Sequence, residues 1–178
     1  MYLKSIESDQ AEQVWNIVSA DLNKLPNTWP KLRHRFLEWV AVSSRGAHKR
    51  DVEIYPKRFY IVENENDNID LCLGFASADL VDENNESHFM LADVNDVNIS
   101  YMTLPKHLGK GVSTFALSKV KDIVISDGHK PVLRIASWNE ASMRIAQKCG
   151  FEQAGADIVI QDSFDYEPTL LKVFHLVS

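Results

Sequence analysis

The stretch Val97–Leu117, VNISYMTLPKHLGKGVSTFAL, decides how this chain is read. An apolar strand pattern runs into a turn with glycines at Gly109 and Gly111, and a helix pattern starts at once. Glycine takes the positive φ of a tight turn without strain and lets backbone approach a ligand closely. The unpaired N–H groups of a helix N-terminus point outward there, and the helix dipole favours an anion. The expectation is a seat for a pyrophosphate, and so for a nucleotide-containing cofactor.

The rest of the chain is consistent with a folded domain around that loop. Its 178 residues suit one domain over 1–178, long enough to bury a real core. Apolar residues make up 45% of it, which excludes a disordered polar chain. The apolar runs are too short to cross a bilayer. The N-terminus MYLKSIESDQ lacks the pattern of a signal peptide. We expect a soluble cytoplasmic protein with no membrane partner. Cys72 and Cys149 read as two buried thiols, not a disulfide.

The net charge of −6 is unevenly spread. Residues 31–58 hold eight Lys or Arg against three acids, whereas residues 63–96 hold ten acids and no Lys or Arg. These are two solvated faces of opposite sign, or a field that gathers a cationic ligand at one end. The acidic pI of about 5.5 and the absence of a reading motif argue against nucleic acid.

Hydrophobic spacing orders the elements. A strand covers 2–6. A helix capped by Ser8 or Asp9 runs to about 24, with Val14, Trp15, Ile17, Val18 and Leu22 on its apolar side, and a second helix covers 31–44. Residues 46–57 read as loop. Strands at 58–63 and 69–81 form a hairpin through the turn at 64–68, and an acidic connection spans 82–94. Then come a strand (96–104), a helix (110–126, stopped at Gly128), a strand (132–137), a helix (139–149, closed by Gly150) and strands at 151–161 and 169–177. The fold class is α/β (α+β): a mixed, mostly antiparallel sheet of six to seven strands, four helices and one parallel crossover.

The loop Lys106–Gly111 does not satisfy a P-loop, which needs Gly, four residues and then Gly-Lys-Ser/Thr. A dinucleotide fingerprint needs a third glycine, where this chain has Thr114, and an acid, where it has Asn139. Downstream, Asn139-Glu140-Ala141-Ser142 opens a helix and Lys148-Cys149-Gly150-Phe151 ends it. With both motifs in order, the chain resembles the GNAT superfamily of acetyl-coenzyme A-dependent N-acetyltransferases. Lys106, Gly109 and Gly111 match that family's Gln/Arg-x-x-Gly-x-Gly/Ala loop. Asn139 and Ser142, then Lys148, Gly150 and Phe151, look most like the branch of the ribosomal-protein alanine acetyltransferases. Tyr101, followed by Pro105, fits the same branch. The resemblance is sharp over 97–151 and reaches the whole chain through element order.

The resemblance implies a cofactor site. The strand bearing Tyr101 would splay from its parallel neighbour at 132–137, with pantetheine in the gap against Met102 and Leu104. Amides from Leu108 through Gly109, Lys110, Gly111 and Val112 to Ser113 would hold the pyrophosphate, with Lys106 and Lys110 adding charge. Lys106 stands where Gln or Arg is usual. Asn139 would bond the pantetheine arm, a role compatible with capping its helix. The reaction implied is direct attack of an amine on the acetyl thioester, with no metal. A backbone N–H near Met102 or Thr103 would serve the oxyanion.

The catalytic residues depart from the family. Asn98 stands where a glutamate base is often found, and Ala146 where some branches carry a tyrosine acid. Ser142 is then the nearest hydroxyl to the sulfur, as a proton donor or as a residue making local bonds. Asp96 or Asp93 would act as a base through water, or be plain surface charge. Trp29, Trp39, Phe89 and Tyr166 would line the acceptor side or belong to the core. The acceptor would be an amine, on a small molecule or a protein N-terminus, and the protein a monomer or homodimer. The alternative is a catalytically weak acetyl-coenzyme A-binding sensor or scaffold.

Overall fold

The computed structural model describes residues 1–20, 30–44, 55–81, 93, 95–160 and 169–177. Leu22, Trp29, Phe89, Tyr166 and most of the acidic connection lie outside them. The described chain builds seven strands: β1 (Tyr2–Ser5), β2 (Lys57–Val62), β3 (Gly74–Leu80), β4 (Val97–Thr103), β5 (Pro131–Ala136), β6 (Phe151–Ile160) and β7 (Thr169–Leu176). Its α-helices are α1 (Ala11–Val18), α2 (Arg33–Ser44), α3 (Val112–Ser126) and α4 (Glu140–Lys148).

The strands form one sheet in the order β1-β2-β3-β4-β5-β7-β6. Every neighbouring pair is antiparallel except β4 and β5. That exception follows from the connection: α3 carries the chain back across the sheet, as a parallel crossover requires. Strand alternation sends β-sheet side chains to two cores. On one face Phe59, Ile61, Ala76, Val97, Ile99 and Leu133 meet α3 and α4 through Val112, Ala116, Val120 and Ala146. On the other Tyr60, Val62, Phe75 and Met102 meet α1 and α2 through Val14, Val18, Phe36 and Val40. A fully buried Val, Leu, Ile or Phe contributes about 1.5–3 kcal/mol, so these two layers dominate the hold on the sheet.

Two expected elements differ. The segment after the 64–68 turn does not enter β3 directly: Ile69–Leu71 forms a 3-10 turn capped by Asn68, whose side chain accepts from the Asp70 N–H. The strand starts at Gly74. The first helix begins later than Ser8, because Ser8–Gln10 is a 3-10 turn held by a reciprocal Glu7–Gln10 capping box. Gly128 and Gly150 take φ of 84° and 87° just past α3 and α4, the left-handed stops expected there. Cys72 and Cys149 are free and buried. Among the described residues no helix is long and apolar enough to cross a membrane.

Candidate active site

The β4–β5 ladder is two rungs long. Val97 pairs with Pro131 and Asn98 with Val132, and there the parallel pairing stops. β4 continues to Thr103 against β3 alone, while β5 continues to Ala136 against β7. The two strands therefore fork after Asn98, and a gap opens toward the Lys106–Gly111 loop.

Hydrogen bonds at the strand ends show which backbone groups face that gap. Val97 donates to the Lys130 carbonyl on the β5 side, at 2.8 Å. Leu104 donates to Leu73, and Val81 donates to the Asp96 carbonyl, both on the β3 side. In an antiparallel strand both backbone groups of a residue point the same way and alternate along the chain. The register of β3 on β4 is continuous, so Ile99, Tyr101 and Thr103 turn their backbone groups into the gap. Met102 and Leu104 turn theirs to β3. Met102 and Leu104, expected to contact the pantetheine, thus turn their backbone groups away from the gap. Leu104 also accepts from the His107 N–H at 2.8 Å and is buried, so it anchors the loop and offers no donor to a ligand. Of the two oxyanion candidates, Thr103 has the right direction and Met102 does not.

At the mouth of the gap, Pro105–His107 forms a 3-10 turn and Gly109 and Gly111 take φ of 77° and 78°. Gly111 is the N-cap of α3 and has no side chain to satisfy the first turn. A Cβ added to either glycine meets nothing within 4 Å. The two glycines thus answer a backbone requirement and leave open space above them. Among the described residues, the amides of Gly109, Gly111, Val112 and Ser113 find no backbone acceptor outside their helix, the normal state of a helix's first N–H groups. Outward N–H groups at a helix start suit an anion. Lys106 and Lys110 are exposed beside the glycines, and Leu108 is exposed at the rim of the loop. His107 is half-buried, with Nδ1 3.5 Å from the Lys110 ammonium. Burial, then Lys110 and Lys106, hold its pKa below the usual histidine value. Ser113 Oγ shares a 2.7 Å hydrogen bond with Thr103 Oγ1, which pins the first turn of α3 to the end of β4.

The other wall is the start of α4. Asn139 is its N-cap, and its Oδ1 accepts from the Ser142 N–H at 3.1 Å. The Ser142 carbonyl accepts from the Tyr101 hydroxyl at 3.3 Å, so β4 and α4 are tied across the gap. Burial raises the Tyr101 pKa to about 12, which suits a packing hydroxyl better than an acid. Ser142 is half-buried, and among the described residues its hydroxyl has no protein partner. Ala146 is fully buried in the core. Cys149 packs there too, its thiol pushed up by burial.

Asp96 is 4% exposed, and its Oδ2 accepts from the Asp93 N–H at 2.9 Å. It closes the turn entering β4, upstream of the fork. Trp39 is half-buried: its ring packs against Phe36 and stacks under the Arg58 guanidinium at 3.9 Å. Sequence reasoning missed the ion pair beneath it, in which buried Arg58 meets half-buried Asp79 at 2.6 Å and joins β2 to β3. The only sequence signal was a cation inside an apolar strand. Among the described residues no cluster of His, Cys, Asp or Glu could hold a metal.

The fork, the glycine cradle and the capped start of α4 converge on one cleft. Residues 1–152 match the family model of the acetyltransferase (GNAT) domain. The chain belongs to the GNAT acetyltransferase family. Its fold is shared with yncA, a putative acetyltransferase from Salmonella typhimurium solved with its cofactor acetyl-CoA (18% identity, 99% of this chain and 92% of that one, TM-score 0.70). It is shared with a ribosomal-protein-alanine N-acetyltransferase from Brucella melitensis (13%, 99% and 100%, 0.69). A spermidine N-acetyltransferase variant from Vibrio cholerae is similar as well (16%, 99% and 95%, 0.67). No match is found among curated proteins.

Proposed function

We propose that the whole chain is a single N-acetyltransferase domain that moves an acetyl group from acetyl-CoA to a primary amine, on a small molecule or a protein N-terminus. The observation that carries this reading is the fork after Asn98, which opens onto the unused amides of the glycine loop. Those amides, of Gly109, Gly111, Val112 and Ser113, hold the diphosphate within the expected stretch from Leu108 to Ser113, and Lys106 and Lys110 screen it. The backbone of Tyr101 and Thr103 lines the pantetheine arm, with the Asn139 amide on the opposite wall. Acetyl-CoA supplies the acetyl thioester.

The amine nitrogen attacks the carbonyl carbon. The C–N bond forms, the C–S bond breaks, and the proton leaving the nitrogen ends on solvent while the sulfur takes one up. The Thr103 N–H faces the developing oxyanion, and a positioned donor of this kind is typically worth about 2.7–4 kcal/mol. The Ser142 hydroxyl is the protein's donor nearest the departing sulfur.

Free thiol released from acetyl-CoA is the assay, with spermidine and a peptide beginning with alanine among the acceptors. Release dependent on an added amine supports the transferase. Tight acetyl-CoA binding with no release on any amine favours a sensor or scaffold instead.

A further inference from the structure

Two hydrogen bonds run from β4 to the helices above the fork. Thr103 Oγ1 and Ser113 Oγ meet at its mouth, at 2.7 Å. One side-chain step deeper on the same face, the Tyr101 hydroxyl donates to the Ser142 carbonyl of α4 at 3.3 Å. α4 follows β5, the other arm of the fork, after a short turn. The Tyr101 side chain therefore reaches from one arm to the helix that continues the other.

The ring is backed by core. Tyr101 is half-buried and packs against the cluster under α3 and α4, in which Ile99, Leu133 and Ile135 are buried. Ile99 and Leu133 each directly follow the last paired rung, so they fill the closed end of the fork on this face. Successive strand residues advance about 3.3 Å, which puts Tyr101 about 7 Å deeper in the fork than Thr103. With the diphosphate at the mouth and the oxyanion on the Thr103 N–H, the acyl group is the deepest part of the donor.

We propose that the Tyr101 ring, directed by its bond to Ser142, is the stop that limits the donor's acyl chain to two carbons. The proposal rests on the transferase reading and its cofactor seat. Beyond the carbonyl carbon an acetyl group adds one methyl and a butyryl group three carbons. The longer chain must displace a ring set against close-packed core, which yields little. A single methylene in an apolar pocket already changes preference by roughly 10–200-fold. Burial raises the Tyr101 pKa to about 12, so the hydroxyl keeps the proton it donates at neutral pH.

The test is calorimetry on the full chain with coenzyme A, acetyl-CoA and butyryl-CoA, which needs no acceptor. The wild type should bind butyryl-CoA at least tenfold more weakly than acetyl-CoA. Tyr101→Leu should bring the two within threefold and leave the affinity for free coenzyme A unchanged. Tyr101→Met, whose unbranched chain fills irregular gaps, takes its place if the leucine variant does not fold. Tyr101→Phe keeps the ring and should still discriminate. Equal binding of the two thioesters by the wild type overturns the proposal. So does an unchanged preference in the leucine or methionine variant, or a lost one in Tyr101→Phe. Discriminating binding with no thiol release on any amine defeats the transferase reading and leaves the stop standing. Failure of all three ligands to bind overturns both.

Discussion

Single residues set how the cradle is charged and shaped. His107 sits half-buried between Lys106 and Lys110, and its pKa is lowered by burial first and by those two cations next. A diphosphate bound there would reverse the cationic part, so the complex would hold more protons than the free protein. Acetyl-CoA affinity should rise as pH falls through the window between the lowered free value and the higher bound one. Calorimetry near pH 6.5 in two buffers of different protonation enthalpy should register proton uptake, and His107→Gln should take up less. Equal uptake in both proteins would remove His107 from the site. Asn139 has two roles that substitution separates. Asn139→Ala loses the cap and should cost about 1 kcal/mol of stability in urea unfolding. Asn139→Asp keeps the cap and the melting point but removes the amide donor, so it should weaken acetyl-CoA binding alone. If Asn139→Asp binds as the wild type does, the ligand role is wrong.

At the scale of elements, the site depends on how closely α3 sits on the ends of β3 and β4. Gly74 makes that approach possible. A Cβ there would lie 2.3 Å from the Met102 carbonyl oxygen and 3.1 Å from Val112 Cγ1. The first of these is backbone, so a strand must move. Gly74→Ala should destabilise by roughly 1–3 kcal/mol, the usual cost of overpacking. It should also weaken acetyl-CoA binding, because the Thr103–Ser113 link between β4 and α3 moves with the strand. A variant with unchanged denaturant midpoint and affinity would show that this packing does not set the cradle. The glycine loop and the Asn139 cap were readable in the sequence because each is a local pattern: turn, dipole and helix start lie within a few residues. The direction of the strand backbone was not, since it depends on pairing with β3. That is why Met102 was expected where Tyr101 and Thr103 face the gap.

Across the whole molecule, the α1–α2 layer is joined to the sheet by more than apolar contact. Arg58 is 3% exposed, bonded to Asp79 and stacked on Trp39 of α2. Breaking a buried pair by removing one partner costs about 3–5 kcal/mol, whereas replacing both by apolar groups is often neutral. Asp79→Leu, which strands the buried guanidinium, should therefore destabilise strongly, and Asp79→Leu with Arg58→Met should recover most of the loss in a urea unfolding assay. No recovery would mean that the cation's stacking on Trp39 dominates. The order of strands and helices, and the single parallel crossover, followed from periodicity alone. The Arg58–Asp79–Trp39 stack did not, because residues distant in sequence meet only once the register is set.

We propose that amides around Gly109 and Gly111 hold the diphosphate of acetyl-CoA. Calorimetric titration of acetyl-CoA into the wild type and Gly109→Asp tests it most directly. Aspartate tolerates a positive φ better than most residues, so the variant should stay folded. Its carboxylate would stand in the anion seat. Saturable binding to the wild type and at least a hundredfold loss in the variant, about 2.8 kcal/mol, are expected. Equal affinity in the two proteins, with the variant folded, would contradict it.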